Sequence, residues 1–220
     1  MKIVIFGARG HTGREVARAA LAAGHEVTSA VRGGKAATVR DALADEPEPL
    51  DKTRIVIADV LDVASVAKAV AGQDAVISTF GPTNNRKPGT LMSEGVKHIV
   101  AACEAAGVKR FVFESGLMTS DGAGLSFGAR MGVKLVGAFY SKMRDDKRLA
   151  EATIRASSLD YVIVRPPNLM DGPAKRTYVH GEQLRFNPMK KLSHADVADF
   201  LVKAASDATL SRTTHEIGEP

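Results

Sequence analysis

Short, almost continuously apolar runs alternate with longer helical patterns along most of the chain. Continuous apolar runs are typical of strands that are buried on both faces of a parallel sheet. The predicted strands are Lys2–Phe6, Glu26–Val31, Arg54–Ala58, Ala75–Thr79, Arg110–Phe113, Tyr161–Val164 and Thr213–Ile217. The predicted helices are His11–Ala23, Ala36–Leu43, Asp62–Val70, Met92–Ala106, Tyr140–Ala156 and Ala195–Ala205. The alternation predicts an α/β fold, a doubly wound parallel sheet with helices on both faces.

Two segments interrupt this pattern. Residues 115–138 contain six glycines, and residues 165–192 contain three prolines beyond Pro166. Both segments follow the carboxyl end of a predicted strand, where open α/β sheets bind their ligands. We therefore predict that they form the substrate walls, the second as a small C-terminal elaboration. The length of 220 residues fits a single domain over 1–220, with the cofactor part mainly in 1–114.

Composition narrows the class of protein. Hydrophobic residues make up 45% of the chain, which is typical of a globular protein. No apolar run is long enough to span a bilayer, and the apolar start is too short for a signal peptide, so we expect a cytoplasmic protein without a membrane partner. Cys103 is the one cysteine and is expected to be a buried filler in a helix.

The net charge of +5 is concentrated near the N-terminus. Residues 1–40 contain seven basic and two acidic residues, which accounts for the whole excess. Either an anion-binding site or a nucleic-acid patch would explain this distribution.

A glycine-rich turn lies where the first strand meets the first helix. Gly7, Gly10 and Gly13 have the spacing G-x-x-G-x-x-G, with Arg9, His11 and Thr12 between them. Gly7 permits a tight turn, Gly10 lets the backbone approach a pyrophosphate, and Gly13 allows close packing of helix on strand. The free N–H groups of the helix start would then face the phosphates. This position predicts a dinucleotide site.

The end of the second strand indicates which dinucleotide is bound. Arg32 and Lys35 occupy the region where NAD-binding sites usually carry a carboxylate, and Arg9 can converge with them. A guanidinium is a natural partner for a 2′-phosphate, so we predict NADP(H) and no nucleic acid. The alternative is that these residues are solvated surface cations.

Two further strand ends are expected to extend the cofactor groove. Asp59 and Val60 could bind the adenine, although Asp59 could instead cap the helix that begins near Asp62. Near the nicotinamide ribose we expect Thr79, Phe80, Gly81 and, after the sixth strand, Pro166.

Several motifs together resemble one known family. They are residues 7–13, Asp59-Val60, residues 72–77, Met92-Ser-Glu-Gly95, residues 159–167 and residues 193–198. They are similar to the atypical short-chain dehydrogenase/reductase superfamily, and within it to the NAD(P)H-binding, NmrA-like group that includes flavin reductase (biliverdin-IXβ reductase). The resemblance implies a Rossmann fold, NADP(H), and a conjugated acceptor such as a flavin, a linear tetrapyrrole or a quinone.

The same resemblance identifies catalytic candidates and one departure. Ser115 matches the family serine and Lys147 the family lysine, whereas the family tyrosine is replaced by Met143. Tyr140, one helical turn earlier, could act as a displaced phenol, or it could face the core or the substrate pocket. Asn168 could hydrogen-bond the substrate. The histidines have no ligand spacing, so no metal site is expected.

The leading hypothesis is an NADPH-dependent reductase of a flavin, quinone or similar conjugated acceptor. Such an acceptor delocalises the charge it receives, so the reaction depends on orientation more than on a tuned acid. The alternatives are a non-catalytic NADP(H)-sensing regulator of the NmrA-like type and, less well supported, a sugar-nucleotide epimerase. The sequence does not indicate an oligomeric state.

Overall fold

The computed structural model describes residues 1–33, 49–84 and 86–220. Ten strands lie in this part: β1 Lys2–Phe6, β2 Glu26–Val31, β3 Arg54–Ile57, β4 Ala75–Ser78, β5 Arg110–Glu114, β6 Asp160–Arg165, β7 Leu169–Met170, β8 Val179–Gly181, β9 Leu192–Ser193 and β10 Thr213–Gly218. The α-helices of the same part are α1 His11–Ala22, α2 Val63–Val70, α3 Leu91–Ala106, α4 Phe127–Phe139, α5 Ser141–Ala156 and α6 His194–Ser206.

Eight of these strands form one sheet in the order β3-β2-β1-β4-β5-β6-β10-β8. Every neighbouring pair is parallel except β10 and β8, and β7 pairs with β9 separately. The strand order reverses between β1 and β4, which creates a crevice at their carboxyl ends where such sheets bind ligands. The predicted doubly wound parallel sheet is confirmed.

Helices cover both faces of the sheet, as predicted. Ile3 and Ile5 of β1 pack on one face with residues of α1 and α6. Val4 and Phe6, the alternate residues, pack on the other face with α2, α3 and α5. Successive side chains of a strand point to opposite faces, so a fully apolar strand must be covered twice.

The predicted element ends agree closely with the structure. All seven predicted strands form, and they and the five predicted helices that lie among the described residues begin and end within one residue of the prediction. Gly24 and Gly107 have positive φ angles of 77° and 72°, as expected of residues that end helices. Ser193 caps α6 by accepting the Asp196 N–H. The predicted helix Ala36–Leu43 lies outside the described residues.

The prediction missed α4, which lies in the glycine-rich segment. Its three glycines, Gly128, Gly132 and Gly137, weaken the helical pattern. Its apolar residues also point both inward and outward, so the helix lacks the largely polar outer side expected of a surface helix. Ser126 caps the helix through the Ala129 N–H. The strands β7, β8 and β9 were also not predicted, because runs of two or three residues carry no detectable period.

Within the described ranges, none of the helices combines the length and the apolar character that crossing a bilayer requires.

Candidate functional site

In the glycine turn after β1, Gly7 and Gly13 are packed too closely for any side chain. Gly7 has a φ of 87°, and a Cβ atom there would lie 2.5 Å from the backbone nitrogen of Phe80. A Cβ atom on Gly13 would overlap the carbonyl oxygen of Gly7. Gly10 is the extended N-cap of α1, and its N–H donates to the Gly7 carbonyl at 2.9 Å. The turn therefore presents bare backbone at the carboxyl edge of the sheet.

The start of α1 suits an anion. Gly10 contributes no side-chain cap, and the first turn of α1 contains no acidic residue. The unpaired N–H groups of a helix start and the positive end of its dipole attract phosphate. Arg9 and His11 flank Gly10 and are exposed. This arrangement fits the pyrophosphate of a dinucleotide.

Thr12 points away from that surface. Its side chain is buried, and its hydroxyl donates to Glu114 at 3.1 Å and is also hydrogen-bonded to His194 Nδ1 at 2.9 Å. Only the backbone of Thr12 is thus available to a phosphate. The hydroxyl instead links the glycine turn to the end of β5.

The 2′-phosphate side of the predicted site is only partly described. Arg32 follows β2 directly and is exposed. Because β1 and β2 are parallel neighbours, Arg9 and Arg32 lie beyond the same edge of the sheet. The two described residues that follow β2, Arg32 and Gly33, do not provide the carboxylate that would bind the ribose 2′-hydroxyl of NAD(H). Lys35 lies outside the described residues.

Asp59 does not cap α2. Its carboxylate accepts the Leu61 N–H at 3.0 Å, and Asp62 is the N-cap, accepting from Ala64 and Ser65. The alternative interpretation of Asp59 is therefore wrong, because the cap lies three residues later. The carboxylate of Asp59 is half-buried at the carboxyl end of β3.

An apolar surface lies beside Asp59. The half-buried Val60 and Phe80 both pack against α3 at Gly95, where a Cβ atom would lie 2.9 Å and 2.8 Å from their side chains. Thr79 ties β4 to β1, since its hydroxyl donates to the Phe6 carbonyl at 3.3 Å. The adjoining Gly81 is exposed. Gly95 was not predicted as part of the site, because a glycine inside a helix gives no signal of what approaches it.

Lys147 lies on α5 next to a buried anchor. The Asp146 carboxylate accepts the backbone N–H groups of Met92 and Ser93 at 2.9 and 3.1 Å, so it caps α3 and fixes α5 against it. The Lys147 ammonium donates to the Ser115 carbonyl at 2.5 Å. Burial lowers the pKa of Lys147, and the nearby Glu114 carboxylate opposes that effect.

The Ser115 hydroxyl is engaged with a buried carboxylate. It donates to Glu151 at 2.6 Å, and Thr119 donates to the same oxygen at 2.7 Å. Arg165 also binds Glu151, at 3.1 and 2.5 Å. Burial alone would raise the pKa of Glu151, but the Arg165 guanidinium and the two hydroxyls lower it to about 2. The sequence did not indicate Glu151, which lies on α5, one helical turn after Lys147.

Glu114, the last residue of β5, occupies the centre of the site. It lies between the Thr12 hydroxyl and the Lys147 ammonium. Burial raises the pKa of Glu114 to about 7, although Lys147 and Thr12 act in the opposite direction. A carboxyl group that titrates near neutral pH is typical of functional sites. Sequence reasoning assigned it no role.

A cavity of about 1630 Å³ opens beside these groups. Glu114, Ser115 and Lys147 line it at the end of the sheet. Its other walls come from residues 116–136 and 166–189, the two segments that were predicted to form the substrate walls. The predicted residues Tyr140, Pro166 and Asn168 line it as well, together with Met143.

A second polar cluster joins the turn to the C-terminal elaboration. The exposed His11 is hydrogen-bonded to Asp171 at 2.9 Å, and its ring stacks on His194 at 5.2 Å. Burial, and then the neighbouring His11, lowers the pKa of His194. One potential ligand atom from each of these three residues lies within 4.8 Å of the other two. The two imidazole rings are stacked with an angle of 27° between their planes, so the lone pairs of their nitrogens do not point toward a common centre. The expectation that no metal binds stays a prediction.

Comparisons with known proteins agree with this geometry. The NAD(P)H-binding family model matches residues 7–208. The photosystem II assembly factor Ycf39 of Synechocystis sp. is 25% identical over 99% of this chain and 62% of its own length. The chain spans less than two thirds of the length of the first curated relatives that it matches.

Solved structures share the fold along the whole chain. ChuY, an anaerobillin reductase from Escherichia coli O157:H7, has a TM-score of 0.78 at 24% identity, covering 100% of this chain and 98% of its own. A short-chain dehydrogenase/reductase from Veillonella parvula in complex with NADP has a TM-score of 0.75 at 21% identity, covering 100% and 94%. The family match includes the glycine turn, the cavity and the strands that join them, and so the chain belongs to the NAD(P)H-binding family.

Proposed function

We propose that the protein is an NADPH-dependent reductase of a flavin, quinone or similar conjugated acceptor. When bound, NADPH supplies a hydride and leaves as NADP⁺, while the acceptor gains that hydride and one proton from solvent. The observation that carries the proposal is Met143, whose side chain lines the cavity four residues before Lys147.

A thioether cannot donate the proton that the reduction of a simple ketone requires. An alkoxide forming from such a ketone needs a nearby acid, whereas a conjugated acceptor spreads the charge within its own ring system. The cavity of about 1630 Å³ exceeds the roughly 300–1000 Å³ of ordinary ligand pockets, which suits a large planar acceptor. The name of the ChuY structure, an anaerobillin reductase, is consistent with a reductase on this fold.

The chain's own residues then have distinct tasks. The Lys147 ammonium would hold hydroxyl groups of the nicotinamide ribose, and Ser115 would orient the nicotinamide or the acceptor. Tyr140 and Asn168 would contact the acceptor from the cavity wall. The remaining cofactor contacts that we propose are Gly7, Arg9, Gly10, His11, Thr12, Gly13, Arg32, Lys35, Asp59, Val60, Thr79, Phe80, Gly81 and Pro166.

NADP(H) is the form of the cofactor that we propose. Arg32 and Arg9 are cationic groups at the edge where the adenosine ribose of a dinucleotide would lie. A guanidinium forms two parallel hydrogen bonds to a phosphate, and the charge makes them stronger than neutral ones. Discrimination from NAD(H) would rest on these contacts to the 2′-phosphate.

The test is to mix the purified protein with NADPH and, in turn, riboflavin, FMN and a series of quinones, while following NADPH absorbance. We expect oxidation faster than in matched protein-free mixtures with at least one acceptor, and slower oxidation when NADH replaces NADPH. Rates equal to the protein-free rates throughout the panel would reject the reductase assignment.

The second candidate is a sensor that binds NADP(H) without turnover. The Met143 side chain also supports it, because a site without a phenol acid need not be catalytic. Calorimetric titration with NADP⁺ and NADPH separates the two. A sensor would prefer one form strongly and oxidise no acceptor, whereas a reductase must bind both forms in order to turn over.

A further inference from the structure

The outer side of α4 carries an apolar ridge. Phe127, Met131, Leu135 and Phe139 recur every four residues along the helix, and all four are exposed. The Phe127 side chain is 82% exposed. Apolar side chains are common at surfaces singly, but a contiguous exposed row indicates a surface that another body covers.

The charge beside this ridge is positive. Arg130 and Lys134 lie on the same helix and are exposed, and α4 contains no acidic residue. At the far end the Arg86 guanidinium lies 5.6 Å from the centre of the Phe139 ring. The carboxylate of Asp121, near the start of α4, already accepts the Ala123 N–H.

The ridge is continuous with the mouth of the cavity. Leu135, together with its exposed neighbour Val136, lines the cavity from α4. Met189 lines it from the other side and is 83% exposed. Exposed apolar side chains therefore lie on two opposite walls of the cavity, one of them continuous with the ridge.

We propose that this surface docks on an anionic phospholipid bilayer, from which a lipid-dissolved acceptor such as a long-chain quinone enters the cavity. The acceptor class rests on the proposed reductase function, whereas the docking does not. A helix that is apolar on one side and basic beside it lies in the lipid–water interface, held by burial of apolar groups and by attraction to anionic head groups.

Charge distinguishes a bilayer from a second copy of the chain. In a two-fold symmetric dimer the same surface faces itself, which would bring Arg130 and Lys134 of both copies into one interface without opposite charges on α4 to balance them. An anionic bilayer instead presents opposite charge to every cation on the surface. Docking at a surface differs from insertion, so it requires no helix that spans the bilayer, and none of the described helices could do so. The proposal departs from the expectation, drawn from the sequence, that the protein has no membrane partner.

Vesicle binding by the whole protein, measured by flotation without cofactor or acceptor, tests the proposal. The vesicles are phosphatidylcholine alone, or phosphatidylcholine with about one third phosphatidylglycerol. We expect binding to the anionic vesicles only, weakening as salt is added. Phe127→Ser with Met131→Ser, two residues outside the cavity wall, should weaken that binding about tenfold or more, and Lys134→Glu should also weaken it.

The control is Leu61→Ser with Val63→Ser, which removes two exposed apolar side chains at the start of α2 and should leave vesicle binding unchanged. The proposal fails if anionic vesicles are not bound, or if the control pair weakens binding equally. A wild-type dimer that the Phe127 and Met131 substitutions dissociate, without vesicle binding, would also overturn it by assigning the ridge to self-association. Vesicle binding is measured without turnover, so its result can be interpreted even if the reductase assay fails.

Discussion

At Ser115 a single side chain belongs to two environments. It lines the cavity, and its hydroxyl donates to Glu151, which does not line the cavity. Thr119 makes the same kind of hydrogen bond to the same oxygen of Glu151, but it does not line the large cavity. The pair therefore allows a functional contribution to be separated from a structural one.

We expect Ser115→Ala to lower turnover about tenfold, because one oriented hydrogen bond is worth roughly 1.4 kcal/mol. Thr119→Val should cost a similar roughly 1 kcal/mol of unfolding free energy while leaving turnover nearly unchanged. Steady-state rates and urea unfolding of both variants provide the comparison. An equal loss of turnover in the two variants would limit Ser115 to holding Glu151.

Arg32 gives the clearest test of cofactor choice. We expect Arg32→Asp to weaken NADPH binding by about 10- to 100-fold, because a charge-assisted pair to the 2′-phosphate is lost and a repulsion replaces it. NADH binding should change little. Arg54→Asp is the matched control, since Arg54 is exposed at the opposite, amino end of the neighbouring strand β3. Calorimetry that showed equal losses for NADPH and NADH would remove Arg32 from 2′-phosphate recognition.

At the level of elements, the turn before α1 and the helix α4 use glycine differently. A Cβ atom on Gly13 would overlap the backbone of Gly7, so there is no room for a side chain at this position. A Cβ atom on Gly128 in α4 would meet nothing within 4 Å. The same substitution should thus have opposite consequences at the two positions.

Gly13→Ala should abolish measurable NADPH binding and lower the unfolding free energy by about 2 kcal/mol, since the turn must move to admit the methyl group. Gly128→Ala should raise the unfolding free energy by roughly 0.5–1 kcal/mol, because alanine favours a helix over glycine, and should leave binding intact. Denaturant unfolding and NADPH titration measure both effects. A Gly13→Ala variant that binds NADPH normally would contradict the close packing of the turn.

The same two elements explain what could be predicted from the sequence. The turn was predictable because its spacing and its place between a strand and a helix are local. The helix α4 was not, because its glycines are poor helix formers and its exposed Phe127 and Leu135 occupy positions where a surface helix usually has polar residues. Contacts such as Thr12 with Glu114 and His194 were also beyond prediction, since they join residues 102 and 182 positions apart.

Across the whole molecule, a chain of polar contacts connects the cofactor turn to the cavity. It runs from His194 through Thr12 to Glu114, which lies beside Lys147 on a different helix. Glu114 is half-buried at the centre of this chain, where β1, β5, α1 and α5 meet. Its protonation therefore bears on the stability of the whole fold as well as on the site.

Glu114 should contribute a decrease in the unfolding free energy as pH rises from about 4.5 to about 7, whereas His194, whose pKa is lowered by burial, contributes in the opposite direction. Burial raises the pKa of Glu114 to about 7 in the folded protein, against about 4.5 for an unperturbed glutamate. Between these values the folded state retains a proton that the unfolded state has released, so the stabilisation present below the lower value is lost as pH passes the higher one.

Glu114→Gln keeps the shape of the side chain but removes its titration. We expect the unfolding free energy of the wild type, relative to that of this variant, to decrease by roughly 2 kcal/mol between pH 5 and pH 7.5, while Glu26→Gln, which alters an exposed carboxylate at the start of β2, should follow the wild type. Urea unfolding at a series of pH values measures the three curves. If the Glu114→Gln curve runs parallel to that of the wild type, Glu114 does not hold a proton at neutral pH. In that case the protonation of Glu114 would not couple the cavity to the stability of the sheet.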